Sequence, residues 1–521
     1  MNKTFSIIDL FAGPGGLGEG FSAFSNSEKE GTPFHISLSI EKDVFAHKTL
    51  TLRSFFRQFP KGQAPDEYYQ YLRRELDFST LINKYPKEMN CAMSESWHAE
   101  LGVENQEKVD DRIYSALAGN KKWVLIGGPP CQAYSLVGRS RNGGTNPEDK
   151  RLYLYREYLR IIARHSPPVF IMENVKGLLS SRINKELIFD KILSDLRNPN
   201  AAIKYSSEKS SFSPVDNEYN LFSLVKKASE SNGGWQELDP RDFIIKSEEY
   251  GIPQARHRVI ILGIRKDLSP TGADILTPSS PVDTRRALAG LPALRSGLSK
   301  TTDSAAAWTI AVKRILTNKS VLRYRDAYGD QVVRKIQEIV HGLSAPVTDR
   351  GFDFVFCQAR SMDYFCEWFI DECLNGICNH STRGHIVEDL HRYLFAACYA
   401  KVHGRSPTLQ SFPVELLPHH QNVGKAVMGG HFEDRFRVQV ETKPATTITS
   451  HIAKDGHYYI HPDPRQCRSL TVREAARLQT FPDNYFFEGP RTEQYKQVGN
   501  AVPPLLARQI AKVVYDVLQA G

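Results

Sequence analysis

The chain has 521 residues, with 67 Lys and Arg against 59 Asp and Glu, a formal net charge of +8 and 41% hydrophobic residues. This is ordinary globular composition, which excludes a disordered, collagen-like or disulfide-framed protein. The length exceeds what one hydrophobic core usually holds, so we expect two domains or one domain with a large insertion. The modest positive charge permits a polyanionic partner without requiring one.

Three features of the sequence favour a cytoplasmic protein without membrane association. The best apolar run, residues 259–264, falls far short of the ~18 residues that a membrane span needs. The N-terminal apolar stretch is interrupted by Asp9 and followed by glycines, which argues against an export signal. The 8 cysteines show no framework spacing, which suits a reducing compartment.

Short β-rich runs alternate with helix-length polar segments, a pattern typical of a doubly wound α/β sheet. The runs are 5–10, 35–40, 123–126, 169–172, 243–245 and 259–264. Residues 51–90, rich in Phe, Tyr, Arg and Lys, separate the second run from the third and predict an inserted helical segment. A Ser-, Pro-, Thr- and Gly-rich stretch at 268–284 predicts the end of the first domain.

The first predicted strand leads into a glycine-dense turn. Gly13, Gly15 and Gly18 satisfy the pattern G-x-G-x-x-G, in which missing side chains let the backbone and a helix N-terminus approach a ligand. Glu41 follows the second run, where a carboxylate can accept both ribose hydroxyls of a nucleoside. The pattern fits a dinucleotide and S-adenosylmethionine equally well, and a tight turn packed on a helix is a third interpretation.

Reactive residue types follow the later strands. Cys131 comes after the third run and two prolines, at the edge where α/β sheets build their sites, and the glycines and cations of 138–150 predict a closing loop. The fourth run ends at Glu173, and Arg256 and Arg258 lie two residues apart on one face of an extended segment. Taken singly, each residue has a structural interpretation as a buried thiol, a helix cap or a surface ion pair.

Taken together, the motifs resemble those of the DNA (cytosine-5)-methyltransferase family of the bacterial restriction-modification type. In family order they are 9–16, 129–132, 173–175, 254–258, 468–479 and 497–503. The resemblance implies a Rossmann-like, S-adenosylmethionine-dependent methyltransferase domain with an inserted target-recognition domain. The implied division is a catalytic and cofactor-binding domain at 1–280 with a helical insertion at about 51–95, a target-recognition domain at 281–440, and a C-terminal return at 441–521.

The resemblance also implies a reaction and its residues. A methyl group of S-adenosylmethionine would be transferred to carbon 5 of a cytosine flipped out of a specific duplex sequence, through a covalent adduct with Cys131. Glu173 would act at ring nitrogen 3, Arg256 would hold the base carbonyl, and Arg258 would support the site. The residues expected to contact DNA are Gln132, Ser135 and Arg139.

A cofactor pocket follows from the same resemblance. Its expected residues are Phe11, Ala12, Gly13, Gly15, Gly16, Glu41, Pro130, Leu154, Asn500, Ala501 and Val502. The last three would return to the glycine loop despite their distance in sequence. The carboxylate that holds the adenine amino group in the family is the hardest to place, and Glu100 is our candidate.

Other functions remain as alternatives. One branch of the family methylates RNA with the same active site, but its variable region is smaller than 281–440, which favours DNA here. A catalytically inactive DNA-binding homologue is another alternative, and the intact set of Cys131, Glu173 and Arg256 argues against it. A nicotinamide oxidoreductase would fit the glycine loop but would leave Cys131 and Glu173 unexplained.

The implied partner is double-stranded DNA, with a cognate restriction endonuclease acting on the same site as a candidate second partner, and we expect a monomer. Seven Lys and Arg against two Asp in 281–320 predict a phosphate-facing surface, with an ordinary solvated face as the alternative. We expect no metal site, because Cys373, Cys378, His380 and His385 lack the spacing of common structural zinc sites.

Overall fold

The computed structural model describes residues 4–25, 31–130, 150–183, 186–204, 217–227, 230–231, 234–235, 238–268, 273–357, 362–418 and 434–520. Its strands are β1 (Phe5–Leu10), β2 (Phe34–Glu41), β3 (Ser96–His98), β4 (Trp123–Gly127), β5 (Val169–Val175), β6 (Arg182–Ile183), β7 (Glu186–Leu187), β8 (Tyr219–Phe222), β9 (Glu230–Ser231), β10 (Gly234–Trp235), β11 (Ile244–Lys246), β12 (Gln254–Ala255), β13 (His257–Arg265), β14 (Gly297–Leu298), β15 (Gly351–Phe356), β16 (Gly376–Ser381), β17 (Gly384–His385) and β18 (Ala445–Thr446).

The α-helices are spread along the whole chain. They are α1 (Gly16–Ser22), α2 (Val44–Arg57), α3 (Asp66–Leu72), α4 (Phe78–Lys84), α5 (Pro86–Glu95), α6 (Gln106–Leu117), α7 (Lys150–His165), α8 (Ile188–Arg197), α9 (Pro199–Lys204), α10 (Thr284–Leu288), α11 (Ala305–Lys313), α12 (Lys319–Leu322), α13 (Gln331–His341), α14 (Cys366–Phe369), α15 (Val387–His403), α16 (Val472–Leu478), α17 (Arg491–Asn500) and α18 (Pro504–Ala520).

An eight-stranded mixed sheet organises the first half of the chain, in the order β11-β13-β5-β4-β1-β2-β3 with β8 beside β13. The five adjacent strands β3, β2, β1, β4 and β5 run parallel to one another, and β13 pairs antiparallel with β5, β8 and β11. All six predicted strands belong to this sheet, so the α/β prediction is confirmed. The short strands β3 and β8 were not predicted. The strand order reverses at β1, which creates the crevice where ligands of such sheets bind.

Helices cover both faces of the sheet, because its strands alternate between two hydrophobic clusters. Ile7 belongs to the cluster under α1 and α18, whereas Ile8 belongs to the cluster under α6, α7 and α8. Successive side chains of a strand point to opposite faces, which explains this division. The C-terminal helix α18 therefore completes the layer that the N-terminal helix α1 begins. A Cβ at Gly20 would lie 2.4 Å from the Ala507 Cβ, which shows how closely the two helices pack.

The segment between β2 and β3 forms helices α2 to α5. Their aromatic and aliphatic side chains share one hydrophobic cluster with Phe354 of β15, Cys378 of β16 and Phe486. Two hydroxyls reinforce the contact, since Tyr69 donates to Asp371 at 2.9 Å and Tyr71 donates to Glu488 at 2.5 Å. The helical segment thus packs between the sheet domain and the middle of the chain.

The middle of the chain has its own hydrophobic cluster around α11, α13 and α15, and Val438, Ile460 and Cys467 join it from further along the sequence. Its entry and exit lie side by side, because the Thr284 N–H donates to the Lys443 carbonyl at 2.9 Å. This geometry fits an excursion from the sheet domain. No helix among the described residues is both long and apolar enough to cross a membrane.

Replacing Gly16 by alanine tests the contact between the two ends of the chain. A Cβ at Gly16 would lie 2.3 Å from the Val502 carbonyl oxygen, so the main chain would have to move. We expect the free energy of unfolding to fall by about 1–3 kcal/mol, measured by urea denaturation. Gly342→Ala is the matched control, because Gly342 has a φ of −90° and open space at its Cβ position. Equal stability of the two variants would contradict the contact.

Candidate active site and cofactor pocket

The glycine loop begins where β1 ends. Phe11, Gly13 and Gly15 have φ values of 55°, 58° and 91°, in the left-handed region that glycine adopts without strain. Gly15 stands at the N-terminus of α1, and the Ala12 N–H donates to the Ile40 carbonyl of β2 at 3.1 Å. Nothing lies within 4 Å of the Cβ position of Gly13, so the loop leaves open space at the sheet edge.

Glu41 fastens this loop to the end of β2. Its carboxylate accepts the Gly13 N–H and the Asp43 N–H, both at 2.7 Å. Burial raises the pKa of Glu41, and these backbone bonds oppose the effect. Each carboxylate oxygen can accept more than one hydrogen bond, so Glu41 retains capacity for ribose hydroxyls.

Asp9 lies beneath the loop and was not assigned a role from the sequence. It is 1% exposed, and neither carboxylate oxygen has a hydrogen-bond partner within the described part of the chain. Burial raises the pKa of Asp9 to about 8, although the Arg57 guanidinium lowers it. The signal in the sequence was an acidic residue inside an otherwise apolar strand.

The C-terminal return closes over the loop as expected. The Gly16 position touches Ala501 and Val502, and the Tyr485 hydroxyl donates to the Pro14 carbonyl. Gln479 donates to the carbonyl of Ala501 at 3.1 Å and to that of Val498 at 2.7 Å. Residues 500–502 therefore lie beside the glycine loop.

Two further residues line the other side of the crevice. Glu100 follows β3 at the same edge of the sheet and pairs with Lys42 at 3.0 Å. The Leu154 side chain of α7 lies 3.4 Å from the Cβ position of Gly102, two residues beyond Glu100. This geometry brings the candidate for the adenine contact and an expected lining residue to one place.

The residues at this edge fit S-adenosylmethionine. The cofactor carries ribose hydroxyls and a cationic sulfur, and the Glu41 carboxylate lies at this edge beside the glycine loop. The loop supplies open space at Gly13, and Glu41 supplies acceptors for hydroxyl groups. The hydrogen-bond acceptors and the open space therefore fit the group that the sequence implied.

The carboxylate expected to act in catalysis lies at the end of β5. Glu173 accepts from the Arg258 Nε of β13 at 2.9 Å, and the two side chains are 13% and 15% exposed. The Glu173 Oε2 lies 2.9 Å from the Cβ position of Gly128, three residues before Cys131. Because glycine has no side chain, the Glu173 carboxylate fits beside residue 128. Arg258 is buried enough that burial lowers its pKa, and Glu173 opposes this effect.

Arg256 has different surroundings from those expected. It is 1% exposed and donates to the main-chain carbonyls of Ile448 at 2.7 Å and Gly499 at 3.2 Å. Burial and the neighbouring Arg258 lower the pKa of Arg256 well below its usual value. Two of its donors are engaged by the C-terminal segment, whereas Arg258 faces Glu173, so the geometry does not support the expected division of roles between the two arginines.

Gln254 was part of the resemblance but received no role. Its side chain donates to the Gln479 Oε1 at 2.9 Å and to the Leu478 carbonyl at 3.1 Å, and it accepts the Ile448 N–H at 2.7 Å. Like Arg256, it holds the C-terminal return against β12. Two polar residues before a buried strand were the only signal in the sequence.

Several predicted site residues lie outside the described residues, namely Cys131, Gln132, Ser135 and Arg139. Pro130 is the last described residue before them. The candidate zinc ligands have other contacts: His380 bonds to the Thr471 hydroxyl at 2.9 Å, and His385 lies 3.5 Å from the Tyr393 hydroxyl. Among the described residues, no group of three or more His, Cys, Asp or Glu side chains could hold a metal ion.

Known proteins share this arrangement. The family model for C-5 cytosine-specific DNA methylases matches residues 87–207 and 242–516, more than half of the chain. The type II methyltransferase M.Bpa9945I of Bacillus paralicheniformis is 33% identical over 98% of this chain and 99% of its own length. The chain belongs to the C-5 cytosine-specific DNA methylase family. Its enzyme class is DNA (cytosine-5-)-methyltransferase.

Further comparisons agree with this result. The methylase is 28% identical to the DNA (cytosine-5-)-methyltransferase M.ApeKI of Aeropyrum pernix, over 78% of this chain and 84% of the relative. A crystal structure of a candidate DNA modification methyltransferase from an E. coli prophage has a TM-score of 0.51 at 18% identity, with 99% of this chain and 100% of that chain covered. This structure supports the fold alone. The predicted methylase class is confirmed, and neither the RNA alternative nor the inactive homologue is favoured.

Asp9 gives the methylase a specific pH dependence of stability. The folded chain retains a proton up to pH about 8 that the unfolded chain releases near pH 3.8, so this contribution is complete at low pH and is lost as pH rises towards 8. Each pH unit in this interval costs at most about 1.4 kcal/mol. We expect Asp9→Asn to gain stability relative to the wild type between pH 5 and pH 9, measured by urea denaturation without cofactor. A constant difference across this range would contradict the burial of an ionisable Asp9.

Proposed function

We propose that this methylase transfers the methyl group of S-adenosylmethionine to carbon 5 of a cytosine flipped out of a specific duplex DNA sequence, through a covalent adduct with Cys131. The observation that carries the proposal is the Arg258–Glu173 pair at 2.9 Å beside Gly128, on the approach to Cys131. A carboxylate fixed beside Gly128, three residues before Cys131 in the sequence, suits activation of a pyrimidine ring. A base inside a duplex is out of reach, so flipping must precede the chemistry, at a cost of a few kcal/mol.

The reaction begins with attack of the Cys131 thiolate on carbon 6, which makes carbon 5 nucleophilic. Negative charge builds on the ring during attack, and a protonated Glu173 stabilises it by donating a hydrogen bond to ring nitrogen 3. The bound cofactor would supply the electrophilic methyl group to carbon 5. A base then removes the carbon-5 proton, and the electron pair of that bond expels the Cys131 sulfur as a thiolate, which restores the aromatic ring.

We assign the base-facing role to Arg258 and a supporting role to Arg256, the reverse of the expectation from the sequence. Arg258 orients Glu173 and has further N–H groups available for the cytosine carbonyl. Arg256 is bound to the carbonyls of Ile448 and Gly499 and is almost completely buried. Its contribution is to hold the C-terminal return in place.

The cofactor-binding role falls to the residues around the crevice. Glu41 is proposed to bind the ribose hydroxyls and Glu100 the adenine amino group, because both follow parallel strands at the same edge. The glycine loop and residues 500–502 would enclose the methionine portion. The other lining residues proposed are Phe11, Ala12, Pro130 and Leu154.

The proposed setting is that of a bacterial restriction-modification enzyme. The type II names of its relatives support a specific duplex target and a cognate restriction endonuclease that cleaves the same sequence. We propose that the protein acts as a cytoplasmic monomer. Gln132, Ser135 and Arg139 are proposed to contact DNA after flipping, and residues 281–440 to read the target sequence.

Transfer of labelled methyl from S-adenosylmethionine to unmodified duplex DNA tests the activity. We expect incorporation by the wild type at carbon 5 of cytosine within one sequence context, located by bisulfite sequencing. Cys131→Ala removes the nucleophile, so incorporation should fall to background while cofactor binding is kept. Methylation of transfer RNA in preference to duplex DNA would refute the assignment of substrate.

Replacing each of the two arginines by glutamine separates their roles. Arg258→Gln should lower kcat of the folded enzyme by about 100-fold or more, because Glu173 loses its orienting partner. Arg256→Gln leaves two buried carbonyls without donors, at about 1–3 kcal/mol each, so its main effect should be on stability. Urea denaturation and single-turnover methylation measure the two effects. A stable but inactive Arg256→Gln variant would return the base-facing role to Arg256.

A further inference from the structure

A cleft of about 740 Å³ lies between the helical segment α2–α5 and the middle of the chain, apart from the cofactor crevice. Its walls come from the end of α3, from strand β15 with the turn before it, from the end of β16 and from the start of α17. Five arginines line it, together with three aspartates and the exposed Phe352. The charged residues are Arg73, Arg74, Arg295, Arg350, Arg491, Asp303, Asp349 and Asp353.

The carboxylates of the cleft do not neutralise all of its arginines. Arg295 uses both Asp349 and Asp303, and Arg350 must share Asp303 at 2.9 Å. Arg73 is compensated from outside the cleft by Asp66 and Glu75. Among the described residues, the carboxylate that pairs with Arg74 is Asp353, at a long distance of 3.5 Å, and both of these side chains are substantially exposed.

Arg491 is the clearest uncompensated charge. Its guanidinium donates to the Thr382 carbonyl at 2.6 Å, and no carboxylate pairs with it in the part of the chain that the structure describes. Burial lowers the pKa of Arg491, the neighbouring cations Arg383 and Arg350 lower it further, and Tyr495 and Asp353 oppose this effect. The Arg350 Nε is also buried without a hydrogen-bond partner among the described residues. An anion in the cleft would relieve this repulsion.

A short chain of contacts connects the cleft with the catalytic edge. Thr382, which receives the Arg491 hydrogen bond, is followed by Arg383, and Arg383 donates to the Ile452 carbonyl. The turn Ser450–Ala453 that contains Ile452 packs on α17, and the nearby Ile448 accepts from Arg256. These contacts connect the wall of the cleft with Arg256 at the edge of the sheet.

We propose that this arginine cleft binds the phosphodiester backbone of the substrate DNA on one flank of the target cytosine. The proposal rests on DNA as the substrate. A duplex presents a phosphate about every 3.4 Å along each strand, so DNA anchored at the catalytic edge carries phosphates past neighbouring surfaces of the protein. Three carboxylates in the walls disfavour a compact, multiply charged anion, whereas a phosphodiester carries a single charge per nucleotide. The exposed ring of Phe352 offers an apolar surface for a sugar or base.

This assignment gives the helical segment α2–α5 a function. Arg74 follows α3 with a φ of 66°, and its guanidinium stacks 4.4 Å from the centre of the Phe486 ring. The packing of α3 against β15 and Phe486 therefore fixes one cation of the cleft relative to the others. A duplex long enough to reach the cleft would contact both the sheet domain and the middle of the chain.

The target sequence is first mapped by methylation of long DNA. The test then compares two duplexes, of about 14 and about 40 base pairs, that carry this target at their centre. Arg74→Gln and Arg350→Gln should together raise the Kd for the long duplex about tenfold at 0.1 M salt and leave the short duplex within about twofold. The slope of log Kd against log salt should fall by about 0.9 for each phosphate that the variant no longer neutralises. Asp353→Asn frees Arg74 and should tighten binding of the long duplex only.

Lys512→Gln is the control that removes a positive charge away from the cleft, because Lys512 is exposed on α18, on the sheet domain. Unchanged kcat on the short duplex shows that the cleft variants are folded. Equal losses on both duplexes, or no loss on either, would refute the proposal. A thermal shift with inorganic pyrophosphate that the variants abolish, without any length dependence of DNA binding, would indicate a small-anion site instead. Binding of DNA by the wild type without methylation would count against the proposed function and not against the cleft.

Discussion

The fold depends on a buried polar junction that joins the C-terminal return to the sheet domain. Gln254 and Arg256, two residues apart on the approach to β13, donate to main-chain carbonyls of Leu478, Ile448 and Gly499. These groups are buried, so each unmade hydrogen bond would cost about 1–3 kcal/mol. The junction fixes α17, and α17 in turn brings residues 500–502 to the glycine loop. The cofactor crevice is built from both ends of the chain and therefore cannot form without this junction.

The same junction separates two kinds of arginine that the sequence makes look alike. The β-strand alternation puts Arg256 and Arg258 on one face, yet one of them is enclosed by the C-terminal return and the other meets Glu173. Which of the two becomes structural depends on where distant segments of the chain are placed. Local spacing therefore identified the pair but could not assign the roles within it.

Much of the catalytic half could be predicted because its signals are local. Apolar runs bounded by turn residues identified the six strands, and parallel strands bring their carboxyl ends to one edge, which brought Gly13, Glu41 and Glu173 together. Strand β3 has only three residues, too few for a periodic pattern, so the position of Glu100 stayed open until the sheet order was known. The raised pKa of Asp9 could not be predicted from its place in an apolar strand alone, because it arises from packing above and below the strand.

The charge pattern shows most clearly what a linear sequence cannot reveal. The excess of Lys and Arg at 281–320 predicted a phosphate-facing surface. Within that run, Arg295 forms ion pairs with Asp303 and Asp349, and Arg286 pairs with Asp363 at 3.0 Å. In the cleft, the least compensated cations are Arg491, which has no carboxylate partner among the described residues, and Arg350, which shares Asp303 with Arg295; both lie outside that run and come together only through the fold. The charge of a surface depends on which cations have no carboxylate partner after folding. A count of cations along the sequence does not show this. The helical segment α2–α5 acquires its significance in the same way, because it contributes Arg74 to a group of charges from three distant parts of the sequence.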